Sequence, residues 1–329
     1  IPTSVDSIGD SAFYNCSSLE DIDIPRNVSS VGANAFKGTA MLNYQIANAG
    51  PLYYADTWVI GSTSGIETII DGSTPIKSGT TGIADNTFRG CTKLSNVAIP
   101  NTVKYIGDSA FENCGELAII TIPSSVESIG GYAFSNCSRL TTMDIPNNVK
   151  NMGNGVFYNC TKLSEIKLST SLGAIGISAF EGCKLLTAVD IPASVASIGD
   201  KAFYGCSGLN TITINNAKCE IYDSGNTINK TPITICGAKG STAESYATKY
   251  NKTFKEVSSS GVKGDANGDG VLRASDAAFI AKKLAEASIS GSKVTITAYP
   301  NADFNGDGKI TAADAAAIAK YLAEQSIKK

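Results

Sequence analysis

"IPSSVESIGGYAFSNCSRLTTMD" occupies residues 122–144, and the next segment, "IPNNVKNMGNGVFYNCTKLSEIK" (145–167), repeats it position by position. The pattern extends outward to "IPNTVKYIGDSAFENCGELAIIT" (99–121), "LSTSLGAIGISAFEGCKLLTAVD" (168–190) and "IPASVASIGDKAFYGCSGLNTIT" (191–213). It is already present in "IPTSVDSIGDSAFYNCSSLEDID" (1–23). From 99 to 213 the period is 23 without slippage, on the pattern I-P-x-x-V-x-x-I-G-x-x-A-F-x-x-C-x-x-L-x-x-I-x. A unit this short cannot bury its apolar side alone; stacked neighbours bury a continuous core.

Each repeat is therefore expected to be one coil of a solenoid. The L-x-x-I-x-I stretch alternates as a strand does, for example Leu140, Met143 and Ile145, and predicts parallel strands lining one face. The A-F-x-x-C stretch is expected to turn on the opposite side, with Phe13, Phe111, Phe134, Phe157, Phe180 and Phe203 in an aromatic column. Gly107, Gly130 and Gly153 suit a close backbone approach at a corner.

Composition narrows the function. Net charge is −3, which gives no electrostatic case for nucleic acid. No run of about 18 apolar residues is present, so no membrane span is expected. Histidine is absent, which excludes Ser-His-Asp and Cys-His catalysis and His-ligated zinc, while carboxylate-pair chemistry stays open. Residue 1 falls inside a repeat, so an open N-terminal end of the array is expected, with room for a lost secretion signal.

Seven of the nine cysteines share one repeat position: Cys16, Cys91, Cys114, Cys137, Cys160, Cys183 and Cys206. A thiol recurring once per coil beside Phe and Leu reads as a small buried apolar residue, and with no His it has no base to make it a nucleophile. Cys219 and Cys236 lie outside the column; free thiols and a bridge between them both remain open. Residues 47–79 interrupt the array and read as an inserted hairpin carrying Tyr53, Tyr54 and Trp58, after which the repeat resumes at 82–97.

The 23-residue consensus resembles the BspA-type leucine-rich repeat of bacterial surface and secreted proteins, over 1–257. The resemblance implies a repeat solenoid, β-rich with short helical or 3-10 turns. Residues 233–257, a short helix and a final strand, resemble the segment that caps such arrays.

The C-terminal part is of another kind. "GDANGDGVLRASD" (264–276) and "ADFNGDGKITAAD" (302–314) both read Asp-x-Asn-x-Asp-Gly with a further Asp at loop position twelve. In a calcium loop of this spacing oxygens come from positions 1, 3, 5, 7, 9 and 12, with Gly at 6 for the sharp turn. The first loop offers Asp265, Asn267, Asp269, the Val271 carbonyl and Asp276; the second offers Asp303, Asn305, Asp307, the Lys309 carbonyl and Asp314. Hard oxygens select calcium, two ions in all. Asp stands at position twelve where Glu is usual. A helical stretch follows each loop, and 17 residues of 265–289 are identical in 303–327 at an offset of 38.

Paired loop-helix motifs with Asp at position twelve resemble the dockerin module of cellulosomes, over 264–329, joined by a Ser/Gly-rich linker at 258–263. This implies a small all-α calcium-binding module that plugs into a cohesin of a scaffoldin or cell-surface protein. The spacer at 288–302 is longer than in the commonest dockerins. The resemblance marks Ala274, Ser275, Lys282, Lys283 and Leu284, and equivalently Ala312, Ala313, Lys320, Tyr321 and Leu322, as cohesin contacts. A generic calcium-stabilised domain is the plainer alternative.

The chain is thus expected to be a non-catalytic secreted component of an extracellular cellulosome or a cell surface. Its solenoid would bind a protein or cell-surface ligand. The outward strand positions, among them Asp21, Asp23, Thr142, Asp144, Glu165, Lys167 and Asp190, are small, polar and mildly acidic, with no aromatic platform for sugar. A carbohydrate-binding module is the alternative, with Trp58, Tyr53 and Tyr54 as its stacking residues; an enzyme is the remote one.

Overall fold

A computed structural model describes residues 1–48, 50–62, 76–257, 264–267, 272–290, 293–295, 299 and 301–327. The coils stack as the period dictates, in two parallel ladders rather than one. The expected ladder at the end of each repeat joins Thr142–Asp144 to Glu165–Lys167, and Ala188–Ile191, Thr211–Ile214, Thr234–Gly237 and Thr253–Glu256 to one another. Before residue 122 this segment carries no strand. The second ladder runs through the V-x-x-I-G step, from Gly82–Ile83 through Tyr105–Ile106 and Ser128–Ile129 to Asn151–Met152. Two residues per coil are too few to show a period in sequence. Registers advance by one repeat per strand, as in Ile129 against Ile106.

Gly closes the corner after this step. A Cβ on Gly130 would stand 2.5 Å from the Asp108 nitrogen, and one on Gly153 would stand 2.4 Å from the Gly131 nitrogen. Backbone meets backbone there, and no side chain fits.

The Phe turn carries a third set of bonds. Tyr132, Phe134 and Asn136 donate their N–H groups to the carbonyls of Asn154, Val156 and Tyr158 in the next coil, at 2.7–2.9 Å. The residues between them bond within the coil, as Cys137 N–H does to the Phe134 carbonyl. This alternation requires two left-handed residues per coil. Tyr132 (φ 55°) and Asn136 (φ 57°) hold those places in one coil, and Ser178 (φ 52°) and Gly182 (φ 76°) in another. Asn and Gly fill the second place throughout because they tolerate that conformation.

Behind the turn the rings of Phe88, Phe111, Phe134, Phe157, Phe180 and Phe203 stack face to face, centroids 5.0–5.7 Å apart. Phe13 is not in this column: it stacks on Phe36 at 5.3 Å in a separate core with Ile8, Val28 and Val31. The cysteine column does more than fill space. Cys114, Cys137, Cys160, Cys183 and Cys206 are buried, and each donates its S–H to the carbonyl of the preceding coil's Phe at 3.0–3.3 Å. Burial raises the first four thiols well above the ordinary cysteine range and Cys206 to about 12. Two members depart from the expectation. Cys16 is exposed, and Cys91 is half-buried beside the interruption, 3.8 Å from Ser62 Oγ. Cys219 and Cys236 are free and buried, so the open question of a bridge is answered by its absence.

The interruption starts earlier than its sequence suggests. Helix α1 (Ala40–Asn48) replaces the strand end of the second repeat. The repeat's Cys is Thr39 there, whose hydroxyl accepts from Leu42 N–H at 3.2 Å and starts the helix. Gln45 of α1 then clamps Tyr54 through both backbone groups at 2.7 Å. The inserted hairpin is present as Leu52–Ala55 antiparallel to Trp58–Ser62, which in turn pairs in parallel with Gly82–Ile83; residues 63–75 of the insertion lie outside the described residues. At the far end helix α2 (Thr242–Lys249) is capped by Ser241 and lays Ala243, Tyr246 and Ala247 on the core.

Asp85 sits half-buried at a corner with its Oδ1 accepting Asp108 N–H at 2.7 Å. Burial pushes its carboxyl up to about 6 from an ordinary 3.8; the neighbouring Asp108 and Asp10 add to this and the hydrogen bond opposes it. The folded state therefore holds a proton between about pH 4 and 6 that the unfolded chain releases, and stability falls as pH rises through that window. Asn154 makes the same bond, to Ile177 N–H, without charge. Asp85→Asn is expected to flatten the pH dependence of thermal melts between pH 4.5 and 7.5 and to stabilise the neutral-pH protein by on the order of 1 kcal/mol after solvent screening.

In native protein a thiol reagent is expected to label Cys16 at once and the column only on unfolding. Cys137→Ala should cost about 1–2 kcal/mol in denaturant titration, from a small cavity and a lost S–H bond.

Candidate functional site

Helices α3 (Ala274–Ser290) and α4 (Ala312–Ile327) each begin two residues before the Asp that ends their loop. The two halves fold identically around that Asp. Asp276 accepts from Asn267 N–H at 3.2 Å and Arg273 N–H at 2.7 Å; Asp314 accepts from Asn305 N–H at 3.1 Å and Thr311 N–H at 2.8 Å. Every partner is displaced by the same 38 residues. Both carboxylates are fully buried, and neither has a cationic partner among the described residues. Asp314 also accepts from the Thr311 hydroxyl at 3.4 Å. A buried carboxylate held by neutral donors is the kind of charge a bound cation relieves.

The second loop is described in full. Asp303 accepts from Gly306, Asp307 and Gly308 N–H at 2.7–3.1 Å, so its carboxylate lies inside the loop, and Asp307 accepts from Lys309 N–H at 2.9 Å. Gly308 takes φ +81°, the turn for which Gly was read at position six. Asn305 accepts Asp307 N–H at 2.8 Å. Of the first loop, Asp265 is buried and Asn267 half-buried; Asp269, Gly270 and Val271 lie outside the described residues. Among the described residues no three Asp, Glu, Cys or His side chains converge as a metal cluster. The donors nevertheless fit a hard divalent ion: they are oxygens alone, two carboxylates of the second loop already face inward, and the buried Asp276 and Asp314 lack a countercharge.

The halves meet through a shared core of Ile280, Ile318, Ile310, Ala266 and Ala302, with Leu272, Phe304, Leu284 and Leu322 packed against it. Of the ten residues expected to meet a cohesin, Ala274, Ser275, Lys282, Ala312, Ala313, Lys320 and Tyr321 are exposed and Lys283 is half-buried. Leu284 and Leu322 are also half-buried, their side chains serving the core. Lys282–Glu286 and Lys320–Glu324 form matching pairs at 3.9 and 4.0 Å. Symmetry fails at Lys283, which binds Glu286 at 2.7 Å, against Tyr321, whose ring meets Phe304 edge-on at 5.7 Å.

On the solenoid the outward strand residues are exposed from Asp21 to Asp190 and half-buried at Thr211 and Thr213, and Ile119, Thr142, Asp144 and Lys167 rim a depression of about 420 Å³. The proposed sugar platform is not there: Trp58 is 1% exposed, packed with Ala55 and Ala84 and stacked on Tyr105 at 6.1 Å, while Tyr53 and Tyr54 are buried.

A coil solenoid stacked on Phe and Gly, followed by duplicated loop-helix motifs, defines a two-module repeat protein. The chain belongs to the BspA type leucine rich repeat family, whose model matches six copies over 1–56 and 72–187, and residues 263–323 form a dockerin type I domain. Both are families of non-catalytic modules, the one suggesting protein binding and the other implying a cohesin partner. Their members are typically extracellular or surface-associated, and among the described residues no helix is long and apolar enough to cross a membrane. Similar solved structures include a leucine-rich repeat protein of Bacteroides ovatus, 28% identical, covering 72% of this chain and 54% of its own, TM-score 0.45. A leucine rich cell surface protein of Faecalibacterium prausnitzii is 25% identical over 70% of this chain and 80% of its own, TM-score 0.30. The T. pallidum leucine rich repeat protein is 24% identical over 64% and 76%, TM-score 0.38. This chain spans about half the length of the B. ovatus protein. No curated protein matches it.

Removing calcium with chelator is expected to lower helical circular dichroism and to expose the buried Asp276 and Asp314 backbone to exchange, with recovery on adding the ion back. Asp314→Ala should remove one of two binding events in a calcium titration.

Proposed function

We propose that this chain is a secreted, non-catalytic component of a cellulosome-like assembly. Its C-terminal module, from residue 264 on, docks into a cohesin in a calcium-dependent way, and its solenoid, up to residue 257, presents a protein-binding or adhesive surface. The observation that carries the reading is the pair of buried Asp carboxylates with identical amide partners 38 residues apart, which makes each half a copy of the other.

Calcium supplies the countercharge that closes each loop. The loop closes over Asp276 or Asp314, and that fixes the start of the following helix with Ala274 and Ser275, or Ala312 and Ala313, at the surface. Residues 264–329 hold eight Lys or Arg and eight Asp or Glu, so two bound divalent ions leave the module near +4. Docking onto an acidic cohesin face is then favoured only in the loaded state. Lys282 and Lys320 present equivalent charges on the two helices, which gives two docking orientations related by about half a turn. Lys283 and Tyr321 make them unequal, and one orientation dominates.

Calorimetry against a type I cohesin tests this. Chelator should abolish binding; calcium-independent binding would sink the dockerin function. Because Leu284 and Leu322 serve the core, the face variants use exposed residues: Ser275→Asp with Lys282→Glu, and Ala313→Asp with Lys320→Glu. Each pair alone should weaken binding less than about tenfold, unequally, and all four together more than about 100-fold. If one pair is silent and the other abolishes binding, only one face is used.

A further inference from the structure

The turn ladder is complete at six junctions and open at one. Ser11, Phe13 and Asn15 donate to Ala33, Ala35 and Lys37 of the second coil, and Asn86, Phe88 and Gly90 donate to Asp108, Ala110 and Glu112 of the fourth. Between the second and third coils these bonds are missing. Among the described residues the N–H groups of Asn34, Phe36 and Gly38 have no acceptor, and on the facing coil the carbonyls of Asp85 and Arg89 have no donor. The Thr87 carbonyl between them takes, among the described residues, the Ser62 hydroxyl at 3.0 Å. The cause is the insertion: its strand at Trp58–Ser62 adds a rung to the ladder, and the described part of it adds no Phe turn. An opening of about 640 Å³ results, lined by both rows and by Leu42, Ile46, Tyr53 and Ile60.

The gap is a wedge: it closes at the corner, where Asp85 N–H donates to the Val31 carbonyl at 3.0 Å, and beyond it three donors stand on alternate residues of one wall with acceptors on alternate residues of the other. Unmade backbone bonds of this kind are met by another polypeptide backbone, as in strand addition, with side-chain pockets giving selectivity. Ile46 is 55% exposed at the mouth, and half-buried Ile60 and Leu42 lie deeper. We propose that the slot between the second and third coils is a peptide-binding site. It takes a turn-forming segment of a partner protein in the place of the absent Phe turn, with an apolar side chain of that segment against Leu42, Ile46 and Ile60. The proposal deepens the reading of the solenoid as a protein-binding module and rests on it.

The probe is a synthetic peptide of residues 106–117 carrying Cys114→Ser, which has the sequence of a Phe turn, added to the full chain with calcium. Residue-resolved hydrogen exchange reads the slot directly. In the protein alone, the amides of Asn34, Phe36 and Gly38 should exchange at least about 100-fold faster than their counterparts Ser109, Phe111 and Asn113, and the peptide should slow them by at least about tenfold. Ile46→Glu, on an exposed side chain, should weaken the peptide by about tenfold or more with Tm unchanged. Protection of the three amides in the protein alone would mean the chain fills its own slot and would overturn the proposal. Protection that grows with protein concentration would assign the slot to a second copy and overturn it too, as would no response to millimolar peptide. Cohesin calorimetry on the same samples reads the other module, so failure of the slot and failure of the docking reading are told apart.

Discussion

The whole solenoid depends on how closely one coil can approach the next. At Gly107, Gly130 and Gly153 an added Cβ would lie within 2.4–2.5 Å of the preceding coil, so only an absent side chain lets the backbones meet. That contact sets the rise near the 4.8 Å of a parallel ladder. Ring stacking at 5.0–5.7 Å and the S–H bonds at 3.0–3.3 Å are all consequences of it. A coil held an ångström further off would loosen every one of these together, because dispersion and hydrogen bonding both fall steeply with distance.

What the sequence disclosed and what it hid follow from this. The repeat, the Phe column and the corner Gly were legible because each recurs at one position in many coils. The second ladder was not, since Tyr105–Ile106 or Ser128–Ile129 is too short to alternate visibly. Helix α1 was hidden because "AMLNYQIAN" keeps Leu42 at the repeat's Leu position; the signals available were Thr39 in place of Cys and Gln45 in place of the strand's Ile. The loops were readable from oxygen spacing alone. The double duty of Leu284 and Leu322 was not, because a single helix stripe serves both the core and the surface, and only packing divides it.

The two modules draw stability from different sources. In the solenoid each coil leans on its neighbours, and loss of one contact is shared among short-range terms. In the C-terminal module the buried Asp276 and Asp314 lack a countercharge, and on the proposed reading their folding waits on an ion.

The last solenoid strand, Thr253–Glu256, is paired on one side only, to Thr234–Gly237, and the chain runs from it toward the plug. Any drag on a docked protein therefore arrives first at this four-residue rung. Its parallel bonds and the α2 packing beneath it bear the load, while the stacked rings further along bear none until it yields. Flow across a cell surface would peel the array from this end, one coil at a time, and each coil would take up part of the pull before the next is strained.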